Sequence, residues 1–401
     1  MNKLDLNNYL NTFNFDLRIT KDARWIDQKC TPDVTCFLAD CVLNYVSENP
    51  NQEYFTVNDI WSSEYFCSNV QAMWGKPDVY NPTAASEYDK FINQPLKMLS
   101  YANVLSCIKR GTTNYFKIHH NLLLEYIATR EQNTFEFLVL YIEKVLKDSG
   151  LYTSFEQFKS KCQNETVTMK DFYNFKTLYE YFILKNTPIN NRDEIRRIFT
   201  KILNPLAVKY RIKGTIKGRL SKDIIIYNEL MYKRVNWRDV LKSKGLTRQE
   251  FEETIIGNDE AEDYTNYLVT RAMNQIKRRY RESELLDEWS FGDATQVHHI
   301  FMKSEFPQIS FYLENLIKLT PTQHYTKAHP NNNTQIIDPD YQYHCLIAKS
   351  NSIELALSRN EDIYSVDNFL VVINTGLSAN IENLTTLDSI RKYLALAYNV
   401  N

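Results

Sequence analysis

The feature that most constrains the fold is a short histidine-rich segment, "TQVHHIFMKSEFP", at residues 295–307. The chain has seven histidines, and four of them lie within residues 298–329. The apolar, β-branched residues here predict a strand, and "NLIKLTP" predicts a second one. Thr320 then caps a helix that Pro321 opens and Pro330 ends. A unit of about 35 residues is too small to bury a core alone, so a metal or packing on neighbouring residues must help hold it.

The chemistry of imidazole indicates what such a segment could do. Imidazole nitrogens bind divalent cations, and a neutral imidazole accepts a proton near neutral pH. Because successive residues of a strand point to opposite sides, one of His298 and His299 can join His324 at a metal while the other stays free. A free histidine beside a metal can activate water, and the metal would stabilise charge on a phosphate. Asn315, at the start of the second strand, is expected to bridge loop backbone groups.

The quoted residues, "VHHIF…ENLIKLTPTQHYTK", resemble the motif of the HNH endonucleases, the ββα-metal superfamily. That motif has a D/H-H-I/V pair, then N-L-x-x-L, then a histidine or asparagine on a helix, often followed by lysine. The resemblance covers about residues 297–329, under a tenth of the chain. It implies roles for five residues: metal ligands His298 and His324, general base His299, loop-fixing Asn315, and Lys327 beside the scissile phosphate.

The sequence departs from one branch of this family at the end of the helix. Bacterial nuclease toxins carry a further histidine four residues after the helical one, whereas this chain has Ala328 there and His329 next. At 3.6 residues per turn, His329 would lie about 140° around an α-helix from His324. We therefore expect a two-histidine site for Mg²⁺, which keeps several water ligands, with Mn²⁺ as a substitute. His329 and His344 are interpreted as polar residues near a helix end or in a loop.

The N-terminal region predicts a DNA-recognition module. Helical spacing follows Thr31 and Thr56, and residues 86–120 predict a helix, a basic turn and a strand, with Pro95 breaking or restarting the helix. Three helices followed by a basic hairpin resemble the element order of a winged-helix domain, and a plain helical domain is the alternative. The residues expected to contact DNA are Lys97, Lys109, Arg110 and Lys117, with Lys303 in the histidine segment. His119 and His120 are interpreted as structural or surface residues, because no histidine follows until 298.

The rest of the chain predicts a mainly α, multidomain protein. We expect a winged-helix-like domain at 1–150, a helical middle region at 151–288, an HNH unit at 289–345 and a C-terminal helical segment at 346–401. The middle region contains two basic runs, at 209–222 and 277–283, which are an alternative place for DNA recognition. Two helices are expected in its second half, and the later one carries the second basic run.

Composition excludes several classes of protein. The net charge of −2 neither indicates nor excludes nucleic-acid binding, since a DNA-binding face needs only local positive charge. No apolar run is long enough to cross a bilayer, and the first residues lack the apolar core of a secretion signal. The seven cysteines form no C-x-x-C pair, which is typical of reduced thiols. We therefore expect a cytoplasmic protein without a membrane partner, and the resemblance to bacterial nucleases implies that it is bacterial.

The combined interpretation is a type II restriction endonuclease that cuts double-stranded DNA at specific sites. The nearest alternative is a modification-dependent or other phage-defence HNH nuclease. A different class is a non-catalytic DNA-binding protein whose metal unit is structural. The target sequence, cut position, methylation requirement and oligomeric state are left open, including association into a homodimer.

Overall fold

The computed structural model describes residues 3–74, 85–232, 259–330, 333, 336–381, 384 and 386–400. The chain is mostly helical, which confirms the predicted mainly α class, and its contacts divide it into two compact units, Lys3–Gly257 and Asn258–Asn401. The described part contains no helix with the length and apolar character needed to span a bilayer. The four-part division stays a prediction; the region expected at 151–288 contributes residues to both units.

The unit Lys3–Gly257 consists of helices and two small hairpins. Its helices are α1 (Lys3–Asn11), α2 (Leu17–Thr20), α3 (Pro32–Glu48), α4 (Val57–Trp61), α5 (Glu64–Trp74), α6 (Ala85–Tyr101), α7 (Asn121–Thr129), α8 (Glu131–Asp148), α9 (Tyr152–Gln163), α10 (Met169–Asn186) and α11 (Arg192–Tyr210). Its antiparallel hairpins are β1 (Leu105–Arg110) with β2 (Thr113–Ile118), and β3 (Lys213–Ile216) with β4 (Arg219–Ile224).

Two helices begin where the sequence predicted, although only Thr56 forms a side-chain cap and Thr31 does not. α3 begins with Pro32 directly after Thr31, and the predicted short helix after Thr56 begins with a complete capping box to Asp59. The expectation that Pro95 breaks the next helix is wrong, because α6 continues through it to Tyr101. Pro95 lies on the buried face of α6, where packing offsets the lost backbone hydrogen bond.

The first hairpin is longer than the sequence indicated. The predicted strand is β2, but β1 was not foreseen, since its outer half carries exposed, charged residues instead of an alternating pattern. Phe55 adds an antiparallel bridge to Phe116 on β2, with backbone hydrogen bonds of 2.7 and 2.8 Å. His120 accepts a hydrogen bond from Leu123 N through its Nδ1 (3.1 Å) and so caps α7, as expected of a structural histidine.

The unit Asn258–Asn401 surrounds one short hairpin with helices. Its elements are α12 (Asp259–Arg279), β5 (Gln296–His299), β6 (Leu316–Leu319), a π-helical turn (Gln323–Ala328), α13 (Pro339–Ser358), α14 (Val366–Gly376) and α15 (Leu387–Ala397). α12 is the later of the two helices predicted in this stretch; the earlier one falls in 233–258, outside the described residues. Ile276, Leu316, Leu346, Val372 and Leu394 share a buried core. The hairpin is therefore held by apolar packing on four helices.

A buried ion pair stabilises this core beside the hairpin. Lys349 Nζ lies 2.6 Å from Glu284 Oε2, and both side chains are fully buried, with 0% exposed. The Lys349 ammonium also donates to the Tyr364 hydroxyl at 3.3 Å, while Glu284 Oε1 accepts from the backbone N–H of Lys318 on β6 at 2.9 Å. The pair thereby links α13 to the second strand of the hairpin.

We expect Lys349→Met to lower the free energy of unfolding by about 3–5 kcal/mol, because it leaves the Glu284 carboxylate buried without its cation. Urea denaturation of the full chain measures this. Lys392→Met, at an exposed position of α15, is the matched control and should change stability by less than about 0.5 kcal/mol. Equal effects of the two substitutions would contradict the role given to the pair.

Candidate metal centre

The predicted strand–loop–strand arrangement is present around the histidine pair. β5 and β6 are antiparallel, with His298 opposite Ile317 and His299 opposite Leu316. His298 is almost fully buried, with 2% exposed, and faces the π-helical turn. His299 is partly buried and its ring reaches the loop between the strands. The pair therefore divides between two neighbours, as the alternation of a strand predicts.

His329 joins this site, so the expectation that it lies away from His324 is wrong. The helix opened by Pro321 changes to i→i+5 hydrogen bonding over Gln323–Ala328. The backbone N–H of His329 donates to the His324 carbonyl at 3.2 Å, which closes one turn over five residues. This wider turn brings residues five apart closer together than an α-helix would, where they lie about 140° apart around the axis. Such π-helical turns are rare and frequently occur at functional sites.

Three imidazoles converge in this arrangement. The ring centroids of His298, His324 and His329 are 4.8 to 5.3 Å apart and the rings meet edge to face. One ligand nitrogen from each ring lies within 4.8 Å of the others. Three imidazole nitrogens at such distances can together bind one divalent cation.

The hydrogen bonds of the three rings identify the free nitrogens. His298 Nε2 and His324 Nδ1 are buried and have no hydrogen-bond partner in the described part of the chain. His329 Nδ1 lies 2.8 Å from the carbonyl oxygen of Ile336, to which it donates, and this leaves Nε2 with its lone pair. A backbone carbonyl that fixes the tautomer in this way is the usual outer partner of a metal-binding histidine. The residues present therefore fit a metal ion.

Electrostatics favours the neutral form of His298 and of His324. Burial lowers the pKa of His298 well below its ordinary value, and the neighbouring His329 and His324 lower it further. Burial, with a smaller contribution from His329, lowers the pKa of His324 to about 4. The lone pairs of both rings are therefore available to a cation at neutral pH.

His299 lies at the same pocket with a different hydrogen-bond pattern. Its Nε2 is 3.0 Å from the carbonyl oxygen of Ser310, so this nitrogen carries the proton and donates. Nδ1 is then the basic nitrogen of the neutral ring. Burial lowers the pKa of His299, and Lys303 adds to this effect. A neutral imidazole with one nitrogen fixed and the other free has the state required of a general base.

Asn315 braces the loop between the strands, as the sequence predicted. It is fully buried, and its Oδ1 accepts from Phe301 N at 2.8 Å. Its Nδ2 donates to the carbonyls of Phe301 (3.0 Å) and Ile309 (3.3 Å). One side chain thus connects both ends of the loop, and the Ser310 carbonyl that orients His299 follows directly after Ile309.

Gln323 anchors the π-helical turn and was missed by sequence reasoning. This buried side chain accepts from the hydroxyl of Ser283 (2.7 Å) and the backbone N–H of Thr320 (3.0 Å). It donates to the carbonyl of Leu285 (2.9 Å) and to Asp287 Oδ1 (2.8 Å). The residue before His324 is therefore tied to the chain that precedes the hairpin. The only signal in the sequence is its position three residues after the capping Thr320.

A pocket of about 220 Å³ opens above the histidines. It is lined by Val297, His298, His299, Met302, Lys303, Ser304, His324 and His329. Lys303 is exposed and its Nζ donates to Asn266 Oδ1 on α12 at 2.7 Å. Lys327 does not line the pocket; its ammonium lies over the Trp289 ring, 4.6 Å from the centroid. Of the two lysines expected near the scissile phosphate, the structure brings only Lys303 to the three imidazoles.

The DNA-contact residues predicted in the N-terminal region differ in their surroundings. Lys109 and Arg110 are exposed at the end of β1, and Arg110 lies over the rings of Tyr54 and Tyr115. Lys117 forms an ion pair with Glu53 at 2.7 Å. Lys97 packs on α6 against Tyr101 and Cys107. Only the first two residues are therefore exposed cations at the hairpin tip.

Comparison with known proteins adds no relative to these observations: no family model, curated protein or solved structure matches the chain.

We expect His329→Ala to lower the affinity for Zn²⁺ or Ni²⁺ at least about tenfold, because it removes one of three converging donors. Isothermal titration of metal into chelator-treated protein measures this. The control is His344→Ala, an exposed histidine of α13 in the same unit, which should bind metal like the wild type. Unchanged affinity in His329→Ala would contradict the three-histidine site and support the two-histidine site that was first expected.

Proposed function

We propose that this protein is a metal-dependent endodeoxyribonuclease whose site lies in the ββα-metal arrangement of β5, β6 and the π-helical turn. The observation that carries the proposal is the shared pocket of three converging imidazoles and a fourth, separately oriented one. A cation site next to a general base is the arrangement used for hydrolysis of phosphodiesters. The N-L-x-x-L strand and the bracing Asn315 support the same interpretation.

His299 is the residue proposed to act on water. Its Nε2–H is held by the Ser310 carbonyl, so Nδ1 can accept a proton from a water molecule in the pocket. Asn315 keeps the loop carbonyls in place and thereby keeps the His299 ring in one orientation. Lys303, at the rim, is proposed to contact a phosphate oxygen. Lys327, stacked on Trp289, is proposed as a more distant phosphate contact.

The proposed metal ligands are His298, His324 and His329. A divalent cation held there would stabilise negative charge on a phosphate oxygen and on the leaving oxygen. Mg²⁺ prefers oxygen ligands, whereas imidazole suits Zn²⁺, Ni²⁺, Co²⁺ and related ions. Because the site offers three nitrogens instead of the two first expected, we propose that such ions, or Mn²⁺, serve it better than Mg²⁺.

The N-terminal region supports the proposal of specific recognition. α3, the Phe55 bridge, α4 to α6 and the hairpin β1–β2 follow the element order of a winged-helix-like module, with Lys109 and Arg110 near the tip. In such modules the helix before the wing reads bases while basic wing residues hold the backbone. We therefore retain a restriction endonuclease as the proposed biological role, and another phage-defence nuclease as its alternative.

A structural role for the metal is the competing proposal, and the packing of the unit argues against it. The hairpin residues Val297, Leu316 and Leu319 are buried in a core shared with four helices. The fold around the site thus does not depend on a cation to gather its apolar residues. We expect chelation to abolish cleavage while the far-ultraviolet circular dichroism spectrum is retained.

That expectation is checked by melting the protein with and without a chelator. Loss of the bound metal should lower the free energy of unfolding only by the linkage contribution, about 2.7 kcal/mol at a hundredfold excess over Kd, and lower Tm correspondingly. Unfolding of the unit at room temperature in chelator would instead support the structural role. Digestion of a plasmid with Mn²⁺, Co²⁺ or Zn²⁺, followed by sequencing of the ends, then separates site-specific cutting, which yields discrete fragments, from nonspecific cutting, which yields a smear.

We expect His299→Ala to reduce the cleavage rate about a hundred- to ten-thousand-fold, because the general base is lost. Its metal affinity should stay close to that of the wild type, since the three converging histidines are untouched. Single-turnover cleavage and isothermal titration give the two quantities, and His344→Ala again serves as the control. A rate above about a tenth of the wild-type value would remove His299 from the proposed role.

A further inference from the structure

A second basic feature lies in the unit Lys3–Gly257. An open cleft of about 650 Å³ is formed by α10, α11 and the tip of the hairpin β3–β4. Its lining includes five cationic side chains, Lys176, Arg196, Arg197, Lys217 and Arg219, against two carboxylates. Part of the basic run at 209–222 thus meets arginines that are distant from it in sequence. Lys209, from the same run, is instead paired with Glu143 at 2.7 Å.

Both carboxylates of the cleft already form ion pairs with arginines. Glu180 accepts from Arg196 at 3.3 Å and lies 3.6 Å from Arg192, and Asp193 lies 3.4 Å from Arg196. Arg197, Lys217 and Arg219 are exposed, and within the described residues they form no ion pair. The rim therefore presents three cations whose charge no described acidic group offsets.

The floor of the cleft is positive as well. Lys176 is 9% exposed, and its ammonium donates to the carbonyl of Gly218 at 2.8 Å. Burial and then repulsion by Arg196 lower the pKa of Lys176, while Glu180 opposes the effect. A negatively charged ligand above this floor would relieve the repulsion.

The hairpin that carries Lys217 and Arg219 is fixed on α11. Lys217 and Gly218 both have positive φ, 50° and 76°, and form the tight two-residue turn between the strands. Asn204 of α11 clamps the first strand, since it accepts from Thr215 N (2.9 Å) and donates to the Thr215 carbonyl (3.0 Å). The exposed cations on the hairpin and helix thus project from a rigid frame, which reduces the entropy lost on binding.

We propose that this cleft holds the phosphate backbone of duplex DNA, as a contact separate from the hairpin β1–β2. The proposal rests on the proposed action on DNA. Unpaired arginine and lysine along an open groove suit a polyanion, because phosphate contacts supply most of the sequence-independent affinity for DNA. The described lining offers a single aromatic ring, the exposed Tyr173, and no enclosed apolar slot of the kind a free nucleotide would need.

The test replaces the three rim cations together, as Arg197→Gln, Lys217→Gln and Arg219→Gln. Binding of a labelled random-sequence duplex is measured by fluorescence anisotropy in chelator across a series of salt concentrations. We expect Kd to rise at least about tenfold, and the slope of log affinity against log salt to shrink by about 2 to 3, because each phosphate contact contributes about 0.9. Circular dichroism melting verifies that the variant is folded.

A matched variant removes the same charge elsewhere. Lys170, Lys185 and Lys222, each changed to Gln, are exposed on α10 and β4 but do not line the cleft. Their slope should change by less than about 1. If the two triple variants bind DNA alike, the cleft is not a phosphate contact. Tight binding of ATP that the rim variant loses, with duplex affinity unchanged, would also overturn the proposal.

A further double variant distinguishes the cleft from the hairpin β1–β2. Lys109→Gln with Arg110→Gln tests the hairpin β1–β2, and effects of the two sites on the free energy of binding should add if the contacts are independent. Chelator prevents cleavage in all binding measurements. The nuclease assignment is tested separately, by the cleavage assays with metal and by His299→Ala, and a failure there does not change the interpretation of the binding measurements.

Discussion

Three imidazoles converge in one largely buried pocket, where a positive charge on His298 or on His324 is disfavoured. A charge on one ring would be desolvated and repelled by its neighbours, and the lowered pKa values of His298 and His324 express that cost. The backbone carbonyl of Ile336 settles which nitrogen of His329 carries its proton. The protein itself therefore determines the neutral state of His298 and His324, the tautomer of His329 and the convergence of the three rings. All three properties depend on the surrounding fold.

Two kinds of interaction, apolar packing and buried hydrogen bonds, stabilise that fold. The apolar core gathers the hairpin against four helices, and the polar groups of Asn315 and Gln323 then set its details. The buried pair of Glu284 and Lys349 connects the two, because Glu284 also accepts from the backbone of β6. A site built this way has its donors held by groups that never contact a ligand, which is what keeps a constellation of side chains within a fraction of an ångström.

The sequence predicted the local elements and most of the candidate site, but not the contacts that depend on backbone geometry. Strand alternation and capping rules act over a few residues. The sequence could therefore predict the division of His298 and His299, the bracing role of Asn315 and the cap at Thr320. The position of His329 was misjudged because the rule applied was that of an α-helix, and nothing in "QHYTKA" indicates π-helical bonding. The continuous α6 and the pairing of Lys117 with Glu53 were likewise missed, since both depend on residues brought together by the tertiary structure.

The π-helical turn also explains how two histidines five residues apart come to share one site. In an α-helix, residues four apart are neighbours along one face; in i→i+5 bonding, residues five apart take that place. Two histidine donors can thus lie close together either four residues apart on an α-helix or, as His324 and His329 do, five residues apart across a π-helical turn. A sequence search for paired histidines that fixes the interval at three intervening residues would therefore miss the pair His324 and His329. An interval of either three or four intervening residues would retrieve both versions.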